Sequence, residues 1–292
     1  MQKQPSLLVA VGETASGKSA LALELARQFD GEIIAADSRT VYRGMDIGTA
    51  KPSKEDQKLV RHHLIDITTP DKPITAAQFK ELAQRTIDEI SGRGTLPILV
   101  GGTGLYIDGV IYDFEFLPVG DAREREKLND LNQTALLKRI DELGIDASGV
   151  DIQNKRRLIR LIETNGVQPT RKELRTNTLV LGMKIDRFEL ESRITKRVDA
   201  MLVAGLEQEV RGLAEQYGWG CEAMKGVGYA QWWDYFSGTQ TLAETRAAII
   251  KDTLDLAKRQ RTWFKRNKSI HWFSTSVKRT DIVDFVTTFL DT

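Results

Sequence analysis

Residues 12–19 form a complete phosphate-binding loop, and this short segment restricts the possible folds more than any other part of the chain. Its sequence, Gly-Glu-Thr-Ala-Ser-Gly-Lys-Ser, matches the pattern GxxxxGK[ST]. An apolar run, Leu7–Val11, precedes the loop, and a helix-forming segment, Ala20–Arg27, follows it. A strand, loop and helix in this order let backbone N–H groups and a helix N-terminus surround phosphate oxygens. The loop therefore predicts an α/β fold that binds a phosphorylated ligand.

Every residue of this loop is a candidate for binding a diphosphate or a nucleotide. The Lys18 side chain is expected to reach a terminal phosphate, and the Ser19 hydroxyl is expected to bind Mg²⁺. The predicted phosphate-binding residues of the loop are Gly12, Glu13, Thr14, Ala15, Ser16, Gly17, Lys18 and Ser19. The loop alone leaves both the ligand and the reaction open.

The rest of the chain alternates strand-like and helix-like segments, except in its middle part. The predicted strands are 7–11, 32–36, 97–100, 178–185 and 270–273. The predicted helices of the core are 20–29, 76–91, 187–217, 243–267 and 281–290. Between residues 113 and 176 the sequence is charged and helix-forming, with amphipathic segments at 128–143 and 154–164. The predicted fold class is therefore α/β, with a P-loop parallel-sheet core (1–112 and 177–292) flanked by helices and a small all-helical insertion domain (113–176).

The composition is that of an ordinary soluble globular protein. The 292 residues are 41% hydrophobic and 28% charged, and the formal net charge is +1. No apolar run is long enough to span a membrane, so no membrane association is predicted. The single cysteine, Cys221, excludes an internal disulfide framework, and a cytoplasmic location is expected.

Polar residues follow two of the predicted strands, where ligands of open parallel sheets bind. Asp37 follows the second strand and Thr103 the third. A carboxylate at position 37 could hold hydrated Mg²⁺ or remove a proton from an acceptor, or it could simply cap a helix. On the segment 187–217, Arg193 and Arg197 share one helix face. They could bind diphosphate oxygens or pair with nearby glutamates.

Two basic clusters favour a polyanionic partner over two merely solvated helix faces. The first, Arg156, Arg157 and Arg160, lies in the insertion. The second lies near the C-terminus, is interleaved with Trp263 and Phe264, and consists of Lys258, Arg259, Arg261, Lys265, Arg266 and Lys268.

Several motifs in a fixed order resemble those of the bacterial tRNA dimethylallyltransferases. The N-terminal motifs are Gly-x-Thr-Ala-Ser-Gly-Lys-Ser (12–19), Asp-Ser-x-x-x-Tyr-x-Gly-Met-Asp-Ile-Gly-Thr-Ala-Lys-Pro (37–52), His-His-Leu-Ile-Asp (62–66) and Gly-Gly-Thr-Gly-Leu-Tyr (101–106). The later motifs are Arg-Arg-Leu-Ile-Arg (156–160), Arg-Val-Asp-x-Met-Leu-x-x-Gly-Leu (197–206), Gly-Val-Gly-Tyr (226–229) and Ala-Lys-Arg-Gln-x-Thr-Trp-Phe (257–264). The resemblance covers essentially the whole chain, and the motif at 37–52 is the most specific.

The resemblance implies prenyl transfer to RNA, with Mg²⁺ as the cofactor. The donor would be dimethylallyl diphosphate, and the acceptor would be N6 of the adenosine 3′-adjacent to a tRNA anticodon, flipped out of its stack. Asp37 would be the general base and Thr103 would orient the amine. Lys18, Arg197 and Mg²⁺ on Ser19 would neutralise charge on the leaving diphosphate.

The resemblance also implies a surface that binds the anticodon stem-loop of tRNA. It further implies that the protein acts as a monomer. The implied tRNA-binding residues of the core are Asp37, Ser38, Arg39, Thr40, Thr103, Lys225, Gly226, Val227, Gly228 and Tyr229. Those of the insertion are Arg125, Arg156, Arg157, Leu158, Ile159 and Arg160.

One departure from the family pattern concerns the phosphate-binding loop. Position 13 is Glu where the family usually has Pro, so the carboxylate is expected either to point to solvent or to weaken diphosphate binding. A P-loop small-molecule or nucleoside kinase would also explain the loop, Asp37 and an arginine-rich lid, but not residues 46–52. A nucleic-acid-binding module without catalysis would leave Lys18, Ser19 and Asp37 unused.

Overall fold

A six-stranded sheet forms the core of the protein. The structure is a computed structural model that describes residues 4–118 and 120–291. Its strands are β1 (Leu7–Gly12), β2 (Gly31–Ala35), β3 (His62–His63), β4 (Leu96–Gly101), β5 (Thr178–Lys184) and β6 (Ile270–Ser274). Within the described residues they follow the order β3-β2-β4-β1-β5-β6, and all neighbouring pairs are parallel. The predicted α/β parallel-sheet core is confirmed, and β3 is a short addition at its edge.

Helices connect the strands and flank the sheet. In the first part of the core they are α1 (Lys18–Gln28), α2 (Lys54–Leu59), α3 (Ala76–Gly92) and α4 (Gly104–Ile111). The middle of the chain contributes α5 (Ala122–Asp130), α6 (Gln133–Glu142) and α7 (Lys155–Glu163). The remaining helices are α8 (Arg187–Val203), α9 (Leu206–Tyr217), the 3₁₀ helix Glu222–Lys225, α10 (Trp232–Phe236), α11 (Leu242–Phe264) and α12 (Arg279–Leu290).

Two helices predicted as continuous are interrupted. The segment predicted as one helix over 187–217 divides into α8 and α9 at Gly205, which adopts a left-handed conformation with φ 98°. Glycine adopts this conformation without the steric cost that other residues meet. Likewise, the amphipathic segment 128–143 divides between α5 and α6, because Asn132 accepts a hydrogen bond from Ala135 N and starts a new helix.

The sheet brings the ends of its central strands together at one edge. β1 lies between β4 and β5, and all six of its residues are buried. Gly101, the last residue of β4, approaches the Ala36 carbonyl so closely that a Cβ atom there would overlap it. The residues that follow β1, β2 and β4 therefore lie close to one another, which is the arrangement that a shared ligand site requires.

Contacts divide the chain into two compact units. Unit 1 comprises Met1–Ile111 with Leu174–Thr292, and unit 2 comprises Tyr112–Glu173. Unit 2 contains α5, α6 and α7 around its own apolar core. Where the chain leaves and re-enters unit 1, Arg175 N donates to Ile111 O (2.8 Å), and just inside unit 2, Lys172 N donates to Tyr112 O (2.8 Å). The two connecting segments therefore run side by side.

No helix among the described residues is both long enough and apolar enough to span a lipid bilayer.

Candidate active site

The phosphate-binding loop turns sharply between β1 and α1. Gly12, Ala15 and Gly17 have positive φ angles of 150°, 61° and 90°. This conformation leads the backbone from the end of a buried strand to the first turn of a helix, as anion-binding loops do. Lys18 Nζ donates to the Glu13 carbonyl oxygen (3.2 Å), so its side chain folds back over the loop.

A cavity of about 410 Å³ opens beside this loop. Its lining comes from the loop and the start of α1, from β2 and the chain that follows it as far as His62, from the end of β4, and from one side chain of α8. Its polar lining residues include Thr14, Lys18, Ser19, Asp37, Thr40, Lys51, His62 and Arg197. The structure thus brings most of the predicted diphosphate-binding residues and the predicted base to one cavity.

Lys18 is a half-buried cation of this cavity. Burial lowers the pKa of its ammonium group to about 8, and the neighbouring Arg197 also lowers it, although the nearby carboxylates Asp37 and Glu13 raise it. An ammonium group in these surroundings is poorly solvated, so an anionic ligand would restore the stabilisation that water no longer supplies.

The structure separates the roles of the two arginines on α8. Arg193 pairs with Glu189 (2.6 Å) and also donates to the Ala15 carbonyl oxygen (3.2 Å). Arg197 Nη1 donates to Thr14 Oγ1 (3.2 Å), lines the cavity and forms no ion pair within residues 4–118 and 120–291. Burial lowers the pKa of Arg197. Of the two, Arg197 is therefore the one available to an anion.

Ser38 links Asp37 to Thr103, because it follows Asp37 in the chain and its backbone N–H contacts Thr103. The Asp37 carboxylate accepts hydrogen bonds from Arg39 N (2.8 Å) and Thr40 N (3.4 Å) through one oxygen, Oδ1. Thr103 Oγ1 accepts from Ser38 N (3.0 Å). Asp37 therefore caps a turn rather than the helix that the sequence left open, while its second oxygen accepts no hydrogen bond from the described residues.

Hydrogen bonds and ion pairs that the sequence did not predict hold the segment 46–52 beside the cavity. The Glu209 carboxylate accepts from the backbone N–H groups of residues 46–48 at 2.7–3.0 Å and from Tyr229 Oη at 2.7 Å. Lys51 Nζ pairs with Asp46 (2.6 Å) and Asp66 (2.5 Å). Asp46, Lys51, Asp66 and Tyr229 lie in the quoted motifs, but nothing in those motifs predicts that Glu209 joins them in one network.

The carboxylate of Glu13 does not point to solvent. It is buried and forms a bidentate ion pair with Arg261 of α11, with N–O distances of 2.6 and 2.7 Å. Next to it, Gln260 Oε1 accepts from Thr14 N (2.8 Å) and Gln260 Nε2 donates to Gly102 O (3.1 Å). The expectation of a solvent-facing Glu13 is therefore wrong, and Arg261, predicted within a polyanion-binding cluster, is engaged by the loop instead.

Several residues of unit 2 that were predicted to contact tRNA instead stabilise the fold of the unit. Leu158 and Ile159 are 0% and 2% exposed in the core of the unit, so the prediction that they bind tRNA is wrong for their side chains. Arg125 and Arg160 both pair with the buried Glu163 carboxylate, at 2.8 and 3.2 Å. Arg156 and Arg157 lie on the exposed face of α7, and Arg157 approaches Asp151 only to 3.9 Å.

The predicted contacts at 225–229 also divide between surface and core. Lys225 is exposed, whereas the Tyr229 ring is completely buried and packs against Gly48, where an added Cβ would come within 2.6 Å of it. The prediction of a tRNA contact by the Tyr229 side chain is therefore wrong. Arg39 donates to the carbonyl oxygens of Glu222 (2.8 Å) and Ala223 (3.4 Å), which links the turn after β2 to this segment.

The oxygen donors of the cavity fit Mg²⁺ only with help from a ligand and water. Among the residues that the structure describes, no three His, Cys, Asp or Glu side chains are grouped as a metal cage. The Ser19 hydroxyl and the Asp37 carboxylate line the same cavity and are hard donors. Mg²⁺ often binds in this manner, through one or two protein oxygens, phosphate oxygens and several waters.

Comparison with known proteins supplies the family. The sequence model of the IPP transferase family matches residues 40–267. The chain is 40% identical to a tRNA dimethylallyltransferase of Acetivibrio thermocellus (92% of this chain, 91% of that one) and 37% identical to one of Bacillus cytotoxicus (93% and 91%). The crystal structure of the tRNA isopentenylpyrophosphate transferase of Bacillus halodurans is similar, with a TM-score of 0.78, 35% identity and coverage of 99% and 97%. A eukaryotic dimethylallyltransferase crystallised acting on tRNA has the same fold, with a TM-score of 0.81 at 22% identity and coverage of 98% and 80%. With its parallel sheet, its phosphate-binding loop and these relatives, the chain belongs to the IPP transferase family.

Proposed function

We propose that this protein transfers a dimethylallyl group from dimethylallyl diphosphate to N6 of the adenosine 3′-adjacent to the anticodon of tRNA, releasing diphosphate. The observation that carries the proposal is the single cavity that holds both a diphosphate-type cation set, Lys18 and Arg197, and a carboxylate, Asp37. The names of the relatives support prenyl transfer over the kinase alternative, which the cavity alone would also accommodate.

The phosphate-binding loop holds the leaving group in this proposal. Lys18, Arg197 and the N–H groups at the start of α1 surround the diphosphate. Thr14, whose own N–H donates to Gln260, is held in place by Gln260 and Arg197. As the C1–O bond of the donor breaks, its electron pair moves onto diphosphate, where these donors stabilise the growing negative charge. Mg²⁺ bound through Ser19 would add charge neutralisation at this end.

Asp37 and Thr103 act on the acceptor amine. As N6 attacks C1 of the donor, one of its protons passes to the Asp37 carboxylate oxygen that the turn leaves available. A hydroxyl has one donor and two acceptor sites, and Ser38 N occupies one acceptor site on Thr103. The other can accept from the second N6 proton and so orient the amine.

Exposed cations provide the proposed surface for the anticodon stem-loop. Lys225 and the face of α7 with Arg156 and Arg157 are exposed, as are Lys258 and Arg259 on α11 and Lys265 directly after it. Such side chains bind phosphates of RNA without regard to sequence. We propose that the protein acts on tRNA in the cytoplasm as a monomer.

Transfer of labelled dimethylallyl diphosphate to undermodified tRNA tests the function directly. With Mg²⁺ and no ATP, the label is expected in tRNA, and nuclease digestion should locate it on the adenosine next to the anticodon. Consumption of ATP without label in RNA would instead support the kinase alternative. A tRNA with guanosine at the acceptor position serves as the matched negative control.

Removing the charges of α7 is expected to weaken tRNA binding and reduce its salt dependence. In the double variant Arg156→Gln/Arg157→Gln, the slope of log K against log salt should fall by up to about two, since each phosphate contact contributes about 0.9. Filter binding at several salt concentrations measures this. Arg171→Gln, which removes a cation stacked on Tyr112, provides a control within the same unit. An unchanged slope in the double variant would argue against this helix as an RNA surface.

The affinity for the donor should fall with rising pH because of Lys18. Its folded-state pKa is lowered to about 8, so the ammonium group that attracts diphosphate is lost earlier than in an ordinary lysine. KM for dimethylallyl diphosphate is expected to rise between about pH 7 and about pH 9.5, while the diphosphate charge itself is constant. Lys18→Arg should show a flat profile over the same range, since its guanidinium stays charged. A wild-type profile as flat as this control would contradict the assignment.

A further inference from the structure

The second residue of the phosphate-binding loop carries a carboxylate, which is an unfavourable neighbour for an anionic ligand. The Glu13 side chain is only 7% exposed, and the Arg261 side chain that binds it is 34% exposed. Both oxygens of the carboxylate are engaged, by Nε (2.6 Å) and Nη2 (2.7 Å) of the same guanidinium. This geometry is the bidentate arrangement in which arginine binds carboxylates most strongly. The negative charge inside the loop is thereby neutralised.

The residue before Arg261 extends the same contact along the loop. Gln260 accepts from the backbone N–H of Thr14 and donates to the carbonyl of Gly102. Two consecutive residues of α11 therefore hold two consecutive residues of the loop. Through Gly102 they also fix the turn that carries Thr103, the residue proposed to orient the acceptor amine.

Both members of the ion pair stand where the shared motifs leave the residue undefined. Glu13 is the x of Gly-x-Thr-Ala-Ser-Gly-Lys-Ser, and Arg261 is the x of Ala-Lys-Arg-Gln-x-Thr-Trp-Phe. The two residues are 248 positions apart in the chain, yet they meet in a buried, bidentate pair. The pair therefore joins two positions that the quoted motifs do not specify.

We propose that Arg261 is a positioning residue of the diphosphate site, which neutralises Glu13 and holds the loop in its anion-binding conformation. The proposal rests on the proposed function only for the identity of the donor. Lys18 contacts the same residue, because its Nζ donates to the backbone carbonyl oxygen of Glu13. Loss of Arg261 would leave an uncompensated buried carboxylate beside the diphosphate and free the loop to move.

The experiment compares Arg261→Met with the double variant Glu13→Gln/Arg261→Met. In the single variant, KM for dimethylallyl diphosphate is expected to rise about tenfold or more, since an unpaired buried charge is costly. In the same variant, kcat and KM for tRNA should change by less than about threefold, because groups that act in binding alone affect KM. The double variant, which lacks the carboxylate, should recover KM to within about threefold of wild type.

Two further variants serve as controls. Arg246→Met removes another bidentate arginine pair of α11, with Asp199 (2.5 and 3.0 Å), and is expected to leave KM for the donor unchanged. Arg261→Lys keeps the positive charge without the bidentate geometry and should lose less affinity than Arg261→Met. If Arg261→Met does not fold, the Arg261→Lys variant can be measured in its place.

Direct titration with inorganic diphosphate separates this inference from the proposed function. Calorimetry on the same variants measures the Kd for diphosphate without requiring prenyl transfer. If wild type transfers no label but the variants still differ in Kd as described, the proposed function fails and the inference stands. An unchanged Kd in Arg261→Met, or a double variant as weak as the single one, would overturn the inference. A loss of kcat and thermal stability in Arg261→Met with no change in KM or Kd would also overturn the inference, because it would show a purely structural role.

Discussion

Replacing Asp37 with asparagine is expected to reduce kcat for prenyl transfer by about 10²- to 10⁴-fold, the usual contribution of a general base. Asparagine cannot accept the proton that N6 must lose when it forms its bond to carbon. Its side-chain oxygen can still accept the hydrogen bonds from Arg39 N and Thr40 N that Asp37 Oδ1 accepts. The turn after β2 should therefore persist, and tRNA binding should change little.

Asp37→Ala provides the comparison that separates chemistry from positioning. Alanine removes both the base and the cap of the turn, so it should lose the same rate and weaken tRNA binding as well. Single-turnover rates and filter binding measure the two effects independently. A near-normal rate in Asp37→Asn, together with a large loss in Asp37→Ala, would show that the residue only positions its neighbours.

Replacing Lys18 with methionine is expected to reduce kcat/KM for the donor by about 10²- to 10³-fold, as the loss of one preorganised electrostatic partner typically does. Lys18 lies in the cavity, and its side chain folds back over the loop. Methionine fills a similar volume without the charge. The leaving diphosphate would then lose the partner that stabilises its charge as the C1–O bond breaks.

Two lysine controls make this measurement specific. Lys196→Met removes an exposed charge one residue from Arg197, so it should leave kcat/KM within about twofold, as exposed substitutions usually do. Lys18→Arg keeps the charge and should recover part of the rate. Steady-state kinetics with labelled donor report all three variants, and equal losses in Lys18→Met and Lys196→Met would contradict the assignment.

The sequence was sufficient to predict five of the six described strands, all but the two-residue β3, because their signals are local. Each predicted strand is an apolar run, and the phosphate-binding loop fixes how the first strand joins the first helix. The break at Gly205 was missed because apolar spacing continues on both sides of it. A single glycine in a helical pattern is compatible with either a continuous helix or a turn, and only tertiary packing decides between them.

The sequence predicted the site residues that lie in motifs. It did not predict contacts between residues that are far apart in the chain. Asp37 and Arg197 lie in motifs and line one cavity. The pairing of Glu13 with Arg261 and of Arg125 with Glu163 joins residues far apart in the chain, so no spacing rule predicts either pair. Leu158 and Ile159 were misassigned because they stand between arginines, although their side chains point to the opposite face of α7 from Arg157.

The side-by-side connections at the border of unit 2 have a consequence for how this protein can change over evolution. The chain leaves and returns through two neighbouring segments that are held by backbone hydrogen bonds, Arg175 N to Ile111 O and Lys172 N to Tyr112 O. Insertions or deletions beyond this point leave the spacing between β4 and β5 unaltered. Selection can therefore lengthen, shorten or recharge unit 2, while the sheet and the cavity at its edge remain constant.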